Sequence, residues 1–212
     1  MTGAQYIVDS LIRKGVTDAF GIPGGVVLSL LYAMDERKSE LTPHLSYHEQ
    51  CSGFAACGYA QASGKIGVAY ATRGPGFTNL ITAIADAYYD SLPTLFITAH
   101  SAPCPPEGMR AMADQEMDTC SMVRNVTKMA VRIDDENSFA KNINKALQVA
   151  TEGRKGPVFL DIAASLFKKE IACVTNDNNI HSEDDYSKYI DKIAGAVKSA
   201  KRPIILVGDG IN

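Results

Sequence analysis

Glu49 is the residue whose type and place invite chemistry most directly. It stands in Tyr47-His48-Glu49-Gln50, where a β-type segment runs into a long helix-type segment. A carboxylate enclosed by apolar groups can hold or release a proton, whereas a first-turn acid is also an ordinary partner of the helix dipole. On spacing alone both readings stand, and His48 beside it reads equally well as a satisfied, partly buried histidine. Glycine turns supply the other candidates: Gly21-Ile22-Pro23-Gly24-Gly25, Thr72-Arg73-Gly74-Pro75-Gly76, and the stretch after Ala99. Such turns let a backbone approach a ligand closely, but tight strand-to-helix connections use glycine for geometry alone. Gly74-Pro75-Gly76 before a helix resembles a dinucleotide turn. However, Asn79 occupies the third glycine's place, and the turn follows the third strand instead of the first. Four histidines without ligand spacing give no zinc site, and no metal-binding residue is assigned.

Placing these residues takes alternating elements. Thr2 reads as an N-cap, Tyr6, Ile7, Leu11 and Ile12 recur at helical spacing, and Gly15 stops the helix. Strands are expected at 18–22, 41–46 (weakened by Pro43), 66–71, 93–99, 128–133 and 157–162. Helices are expected from 26 and over 47–63, 77–89, 118–127 and 136–151. The helix after Tyr47 is rich in small residues (Gly53, Ala55, Ala56, Gly58, Ala60, Ala62), which predicts close packing against a neighbour despite poor propensity. Residues 100–115, with Pro103, Pro105, Pro106 and Gly108, form a long loop of the kind that is usually functional. The alternation predicts an α/β fold, a doubly wound parallel sheet of about six strands with helices on both faces. Ligands of such sheets bind at the carboxyl ends of the strands.

The domain reading is 1–165 as one unit, 166–185 as a polar linker, and 186–212 as the start of a second unit, with a helix at 186–200 and a strand at 203–207. A chain ending just after it opens a new αβ unit is expected to be a truncated piece.

Bulk properties narrow the partners. With 46% hydrophobic and 21% charged residues and a net charge of −3, the 212-residue chain is an ordinary globular sequence without a basic footprint. No nucleic acid and no membrane are expected. The N-terminus carries no basic-then-apolar signal segment, and five cysteines without a C-x-x-C pair fit a reducing cytoplasm.

Taken in order, Gly21-Ile22-Pro23-Gly24-Gly25, Tyr47-His48-Glu49-Gln50, Gly58-Tyr59-Ala60, Thr72-Arg73-Gly74-Pro75-Gly76-Phe77-Thr78-Asn79-Leu80 and Asp90-Ser91-Leu92-Pro93 resemble one known family. It is the pyrimidine-binding domain of thiamine-diphosphate enzymes, with acetolactate synthase large subunits the nearest likeness. The resemblance covers about residues 1–162.

The resemblance implies that Glu49 hydrogen-bonds a ring nitrogen of the cofactor's aminopyrimidine, a general acid–base role relayed through the cofactor. Such a glutamate should sit in an apolar pocket, where desolvation favours the neutral acid. It further implies that Pro23, Gly24, Gly25, Gly74, Asn79 and Gln115 contact the cofactor. His48 matches a frequent neighbour of the glutamate. Ile22, Arg73 and Asp114 depart from the family's usual aromatic residue, serine and phenylalanine, and these three and His48 are expected near the substrate. Gly208-Asp209-Gly210 looks like the start of the family's metal motif, but Asn212 follows too soon for the motif's more distant asparagine, so the turn is expected to be structural.

The implied cofactors are thiamine diphosphate and magnesium, the metal held by a diphosphate-binding domain absent from this chain; FAD, which some members carry mainly on a central domain, is also admitted. The implied substrate is a 2-keto acid, undergoing decarboxylation and carboligation. The implied partner is the diphosphate domain of another subunit, in a homodimer or homotetramer. By itself the chain is expected to be inactive. Two alternatives stand beside this reading: a stand-alone subunit of a two-chain keto-acid decarboxylase, and a non-catalytic nucleotide-binding module.

Overall fold

A computed structural model describes residues 1–101, 103, 106, 108–110, 113–172 and 187–208. Six parallel strands form one sheet: β1 (Asp18–Gly21), β2 (Thr42–Leu45), β3 (Gly67–Tyr70), β4 (Thr94–His100), β5 (Met129–Ile133) and β6 (Val158–Ala163), in the order β2-β1-β3-β4-β6-β5. The doubly wound parallel sheet expected from the alternation is present. Pro43 is tolerated because β2 is an edge strand that pairs only with β1, so its missing N–H leaves no ladder bond open on the far side.

Strand residues alternate between two cores. Val68, Tyr70, Leu95, Ile97, Val158, Leu160 and Ile162 face one layer, with Ile7, Leu11, Leu30, Met34, Phe139 and Ile143. These last belong to α1 (Gly3–Arg13), α2 (Leu28–Glu36) and α7 (Glu136–Thr151). Ala69, Ala71, Phe96 and Phe159 face the other layer with Ala56, Ala60, Ala83, Ile84 and Val123. That layer comes from α3 (Glu49–Ser63), α5 (Ile81–Tyr89) and α6 (Thr119–Val123), while α4 (Pro75–Thr78) lies between β3 and α5. Each fully buried Phe or Leu contributes about 1.5–3 kcal/mol through area removed from water.

α3 packs as closely as its small residues predict. A Cβ on Gly67 of β3 would stand 2.0 Å from the Ala56 carbonyl oxygen, and one on Gly53 would stand 2.5 Å from the Ala83 Cβ. Helix and sheet thus meet backbone to backbone, which fixes where α3 begins. Thr2 caps α1 in a reciprocal pair with Gln5, and Gly64 ends α3 in the left-handed region.

Four expectations change. Tyr47 lies outside α3 and is fully exposed, because His48 is the cap. The helix expected over 77–89 begins at Pro75 and is assigned as two helices, α4 and α5, with Asn79 and Leu80 between them. The helix expected over 118–127 is shorter: Asp118 caps α6, and residues Arg124–Val126 form a 3-10 turn. Residues 203–207 are not a strand: Ile204, Ile205, Leu206 and Val207 are exposed. A strand needs a neighbour for its hydrogen bonds, and this segment has none among the described residues. α8 (Ser187–Ser199) likewise presents Ile190, Ile193 and Val197 to solvent. Most of the expected linker, residues 173–185, and the turn Gly208-Asp209-Gly210 beyond its first glycine lie outside the described residues.

Among the described residues the thiols differ in depth: Cys57 is buried, Cys120 half-buried and Cys51 exposed. Burial pushes Cys57 up to about 12, with Asp86 and Asp90 adding to the shift, and burial with Asp161 and Asp118 does the same for Cys120. Cys51 is exposed on α3. Iodoacetamide at about pH 8 should therefore alkylate Cys51 within minutes and leave Cys57 and Cys120 unmarked until denaturant is added. Peptide mass spectrometry reads this directly, and early marking of Cys57 would contradict the packing of α3.

Candidate functional site

The chain runs outward from β1 to β2 on one side and from β3 to β4 on the other. The carboxyl ends of β1 and β3 therefore flank a crevice where strand order reverses. The glycine turns after β1 and β3 both open into it, and α3 starts beside it.

Glu49 is the first residue of α3. Its Oε2 accepts a hydrogen bond from the Asn79 Nδ2 at 2.9 Å, and Oε1 has no partner among the described residues. Asn79 can reach it because it terminates α4, and α4 starts at the Gly74 turn. Gly76 keeps this space open: a Cβ there would stand 2.7 Å from the Thr72 Cγ2 and 3.4 Å from the Glu49 Oε1. Thr72 also closes on the first turn, since a Cβ on Gly24 would lie 2.4 Å from its own Cβ. Gly74 needs glycine twice over, with φ +64 and only 2.7 Å between its would-be Cβ and the Gln115 Cβ. Gln115 itself has φ 56, one of two non-glycine residues held at positive φ among the described residues. Strain of this kind gathers at functional sites.

These contacts draw Gly24, Thr72, Gly74, Gly76, Glu49, Asn79 and Gln115 around one crevice. Glu49 is half-buried and, contrary to expectation, not enclosed by apolar groups; its carboxylate meets Asn79 and the space above Gly76. The His48 Nδ1 accepts from the Gln50 amide at 3.2 Å, which makes it the N-cap of α3 and gives it a structural task. Ile22 is half-buried, while Pro23, Gly25 and Asp114 are exposed. Among the described residues, and apart from its chain neighbours, no atom lies within 4 Å of a would-be Gly25 Cβ.

Beside the crevice lie two polar networks whose partners were not foreseen, although Arg73 itself was expected there. The Arg73 Nη1 donates to Ser101 Oγ at 2.5 Å and to Glu116 Oε1 at 3.2 Å, and Glu116 Oε1 also accepts from the Ser101 amide at 2.6 Å. Further in, His100 at the end of β4 has Nδ1 2.8 Å from Asp161 Oδ1 and Nε2 2.9 Å from Asp134 Oδ1. Thr119 Oγ1 donates to Asp161 Oδ2 at 2.6 Å, and Arg132 lies 3.7 Å from the same oxygen. The signal for this second group is in the sequence: an aspartate inside Val158-Phe159-Leu160-Asp161-Ile162 is a charge in a buried strand, and such a charge needs partners. Nothing in the sequence marks Glu116 as the partner of Arg73, since 43 positions separate them.

The arrangement can bind a flat nitrogen heterocycle. Glu49 offers one carboxylate oxygen, Asn79 fixes the other, and the glycine floor allows a ring to approach the backbone. Among the described residues no group of three His, Cys, Asp or Glu side chains could hold a metal ion, and no helix is long and apolar enough to cross a membrane.

Comparison with known proteins points the same way. The family model described as thiamine pyrophosphate enzyme, N-terminal TPP binding domain, matches residues 1–122. Acetolactate synthase 1, chloroplastic, of Oryza sativa subsp. japonica is 35% identical over 98% of this chain and 33% of its own length. The mitochondrial acetolactate synthase catalytic subunit of Saccharomyces cerevisiae is 34% identical over 100% of the chain and 32% of its length. The acetolactate synthase large subunit of Lactococcus lactis is 33% identical over 100% of the chain and 37% of its length. The chain thus spans about a third of the length of these curated relatives.

Proposed function

We infer the function from one premise: the chain belongs to the thiamine pyrophosphate enzyme family, as its N-terminal TPP binding domain. We propose that it holds the aminopyrimidine end of thiamine pyrophosphate in an acetolactate synthase-like enzyme that decarboxylates a 2-keto acid and joins the remaining fragment to an acceptor. The observation that carries this is the Glu49–Asn79 pair at 2.9 Å, with the second carboxylate oxygen turned free above a floor cleared by Gly76.

The residues fit the cofactor's ring. Glu49 would hold a proton at a ring nitrogen. Asn79 would keep the carboxylate in the plane of that contact. Gly24, Gly74 and Gly76 would leave room for the ring, and Gln115 would stand at its far side. When bound, thiamine pyrophosphate supplies the carbanion chemistry at the keto acid's carbonyl carbon. The diphosphate and magnesium would be held by another domain, on our reading that of a partner subunit in a homodimer or homotetramer. Residues 1–165 would form the pyrimidine domain, 166–185 the linker and 186–212 the opening of a central domain. The exposed apolar residues Ile204 to Val207 support that last assignment. Free thiols at Cys51, Cys57 and Cys120 support a reducing compartment such as the cytoplasm.

The test uses the full-length protein. Carbon dioxide release from pyruvate, 2-oxobutyrate and 2-oxoglutarate is followed with and without thiamine pyrophosphate and magnesium. Release that requires both supports the reading. Saturable cofactor binding by calorimetry without release from any 2-keto acid would leave the binding role and remove the proposed substrate class.

A further inference from the structure

Arg73 is a cation at this edge whose charge the pyrimidine-binding reading does not use. Its side chain is 21% exposed, and that of its partner Glu116 is 4% exposed. The desolvation of an ion pair this far out of water can offset what the contact returns, so stability alone is a weak account of it. Its geometry is one-sided. Both protein contacts, to Ser101 Oγ and Glu116 Oε1, go to Nη1. Nε and Nη2 have no partner among the described residues. A guanidinium presents its donors as a planar fork suited to a carboxylate or phosphate. Glu116 and Ser101 hold the plane of this fork from one edge and leave the other open. The residues on either side of Arg73 are Thr72, packed on Gly24 and Gly76, and Gly74, packed on Gln115. The backbone that carries the fork is therefore part of the crevice wall.

We propose that the open edge of Arg73 binds a carboxylate of the substrate, and that this carboxylate is one that survives the reaction. The inference rests on the 2-keto acid reading above. Its second half follows from charge. A cation paired with the carboxylate that leaves as carbon dioxide stabilises a charge that disappears toward the transition state, which raises the barrier. A carboxylate retained in the product keeps its partner throughout. Two sources share this chemistry: the carboxylate of a keto-acid acceptor, and a second carboxylate on a dicarboxylic donor. Arg73 is thus a specificity-determining residue, with Glu116 and Ser101 positioning it.

The test uses the full-length enzyme with cofactor and magnesium, as wild type, Arg73→Gln and Arg73→Lys. Lysine keeps a cation beside Glu116 and guards against a folding defect, but it has no second edge. With pyruvate as donor, acceptor preference is measured between 2-oxobutyrate and propanal, which differ by the carboxylate. Donor preference is measured between 2-oxoglutarate and 2-oxobutyrate. In one of these pairs both variants should lose about ten- to a hundredfold of the preference for the substrate with the extra carboxylate. The pair that responds identifies the source. Unchanged preference in both pairs overturns the proposal. A second readout needs no turnover: phenylglyoxal modification of Arg73, mapped by mass spectrometry, should be slowed by 2-oxobutyrate or 2-oxoglutarate and not by propanal. Protection without carbon dioxide release from any keto acid upholds the anion site and removes the keto-acid chemistry. Equal labelling with and without carboxylates overturns the site itself.

Discussion

Glu49→Gln in the full-length enzyme is expected to lower kcat by about 10²–10⁴-fold, the range that a positioned acid–base group contributes. The substitution separates chemistry from architecture. Glutamine has the shape of glutamate, and its amide oxygen can accept the Asn79 hydrogen bond that Oε2 accepts now. The helix cap does not depend on it, because His48 supplies the cap. What changes is the free edge: an acceptor that can take a proton becomes an amide that cannot. The loss should fall on kcat, with cofactor affinity changed less, and the proton on the cofactor's reactive carbon should exchange more slowly with D2O by NMR. Asn79→Ala should behave differently, because it frees the carboxylate to rotate without removing its proton-holding oxygen. Near-normal turnover in Glu49→Gln would return Glu49 to its plainer role as a first-turn acid.

The second large effect is structural. His100→Ala is expected to destabilise the chain by about 3–5 kcal/mol, the cost of leaving a buried charge without its partner. Asp161 is 1% exposed and His100 is 3% exposed. The ring joins Asp161 of β6 to Asp134, which follows β5, and Thr119 of α6 donates to the same aspartate. Removing the ring leaves Asp161 with Thr119 and the more distant Arg132. Because His100 precedes Ser101, the same change should loosen the backbone amide that donates to Glu116 and, through Glu116, the hold on Arg73. Urea unfolding measures the loss. The double variant His100→Ala/Asp161→Ala should cost less than the sum of the two single ones, since both groups belong to one network. Additive effects would show that the network is a set of separate contacts.

The sequence by itself determined the class of fold and the list of candidates. Strand and helix periods differ, and buried strands such as Val158–Ala163 read as apolar runs, so six strands and their helices were visible in order. The close packing of α3 was visible as well, because only small side chains let a helix carbonyl stand where the Gly67 Cβ would be. The ordered glycine turns around Glu49 carried the family resemblance.

What only the tertiary structure decided concerns partners remote in sequence. Placing β6 between β4 and β5 is what brings His100 to Asp161, and no local pattern encodes that order. The break between α4 and α5 is what sets Asn79 against Glu49. His48 became a cap through a 3.2 Å contact that its residue type does not announce. Arg73 acquired Glu116 from a segment beyond the long loop. Conversely, 203–207 has strand composition without a strand, because a ladder is a property of two segments and composition describes only one. Periodicity reports which face of an element is buried; which charge meets which is settled when the elements are stacked.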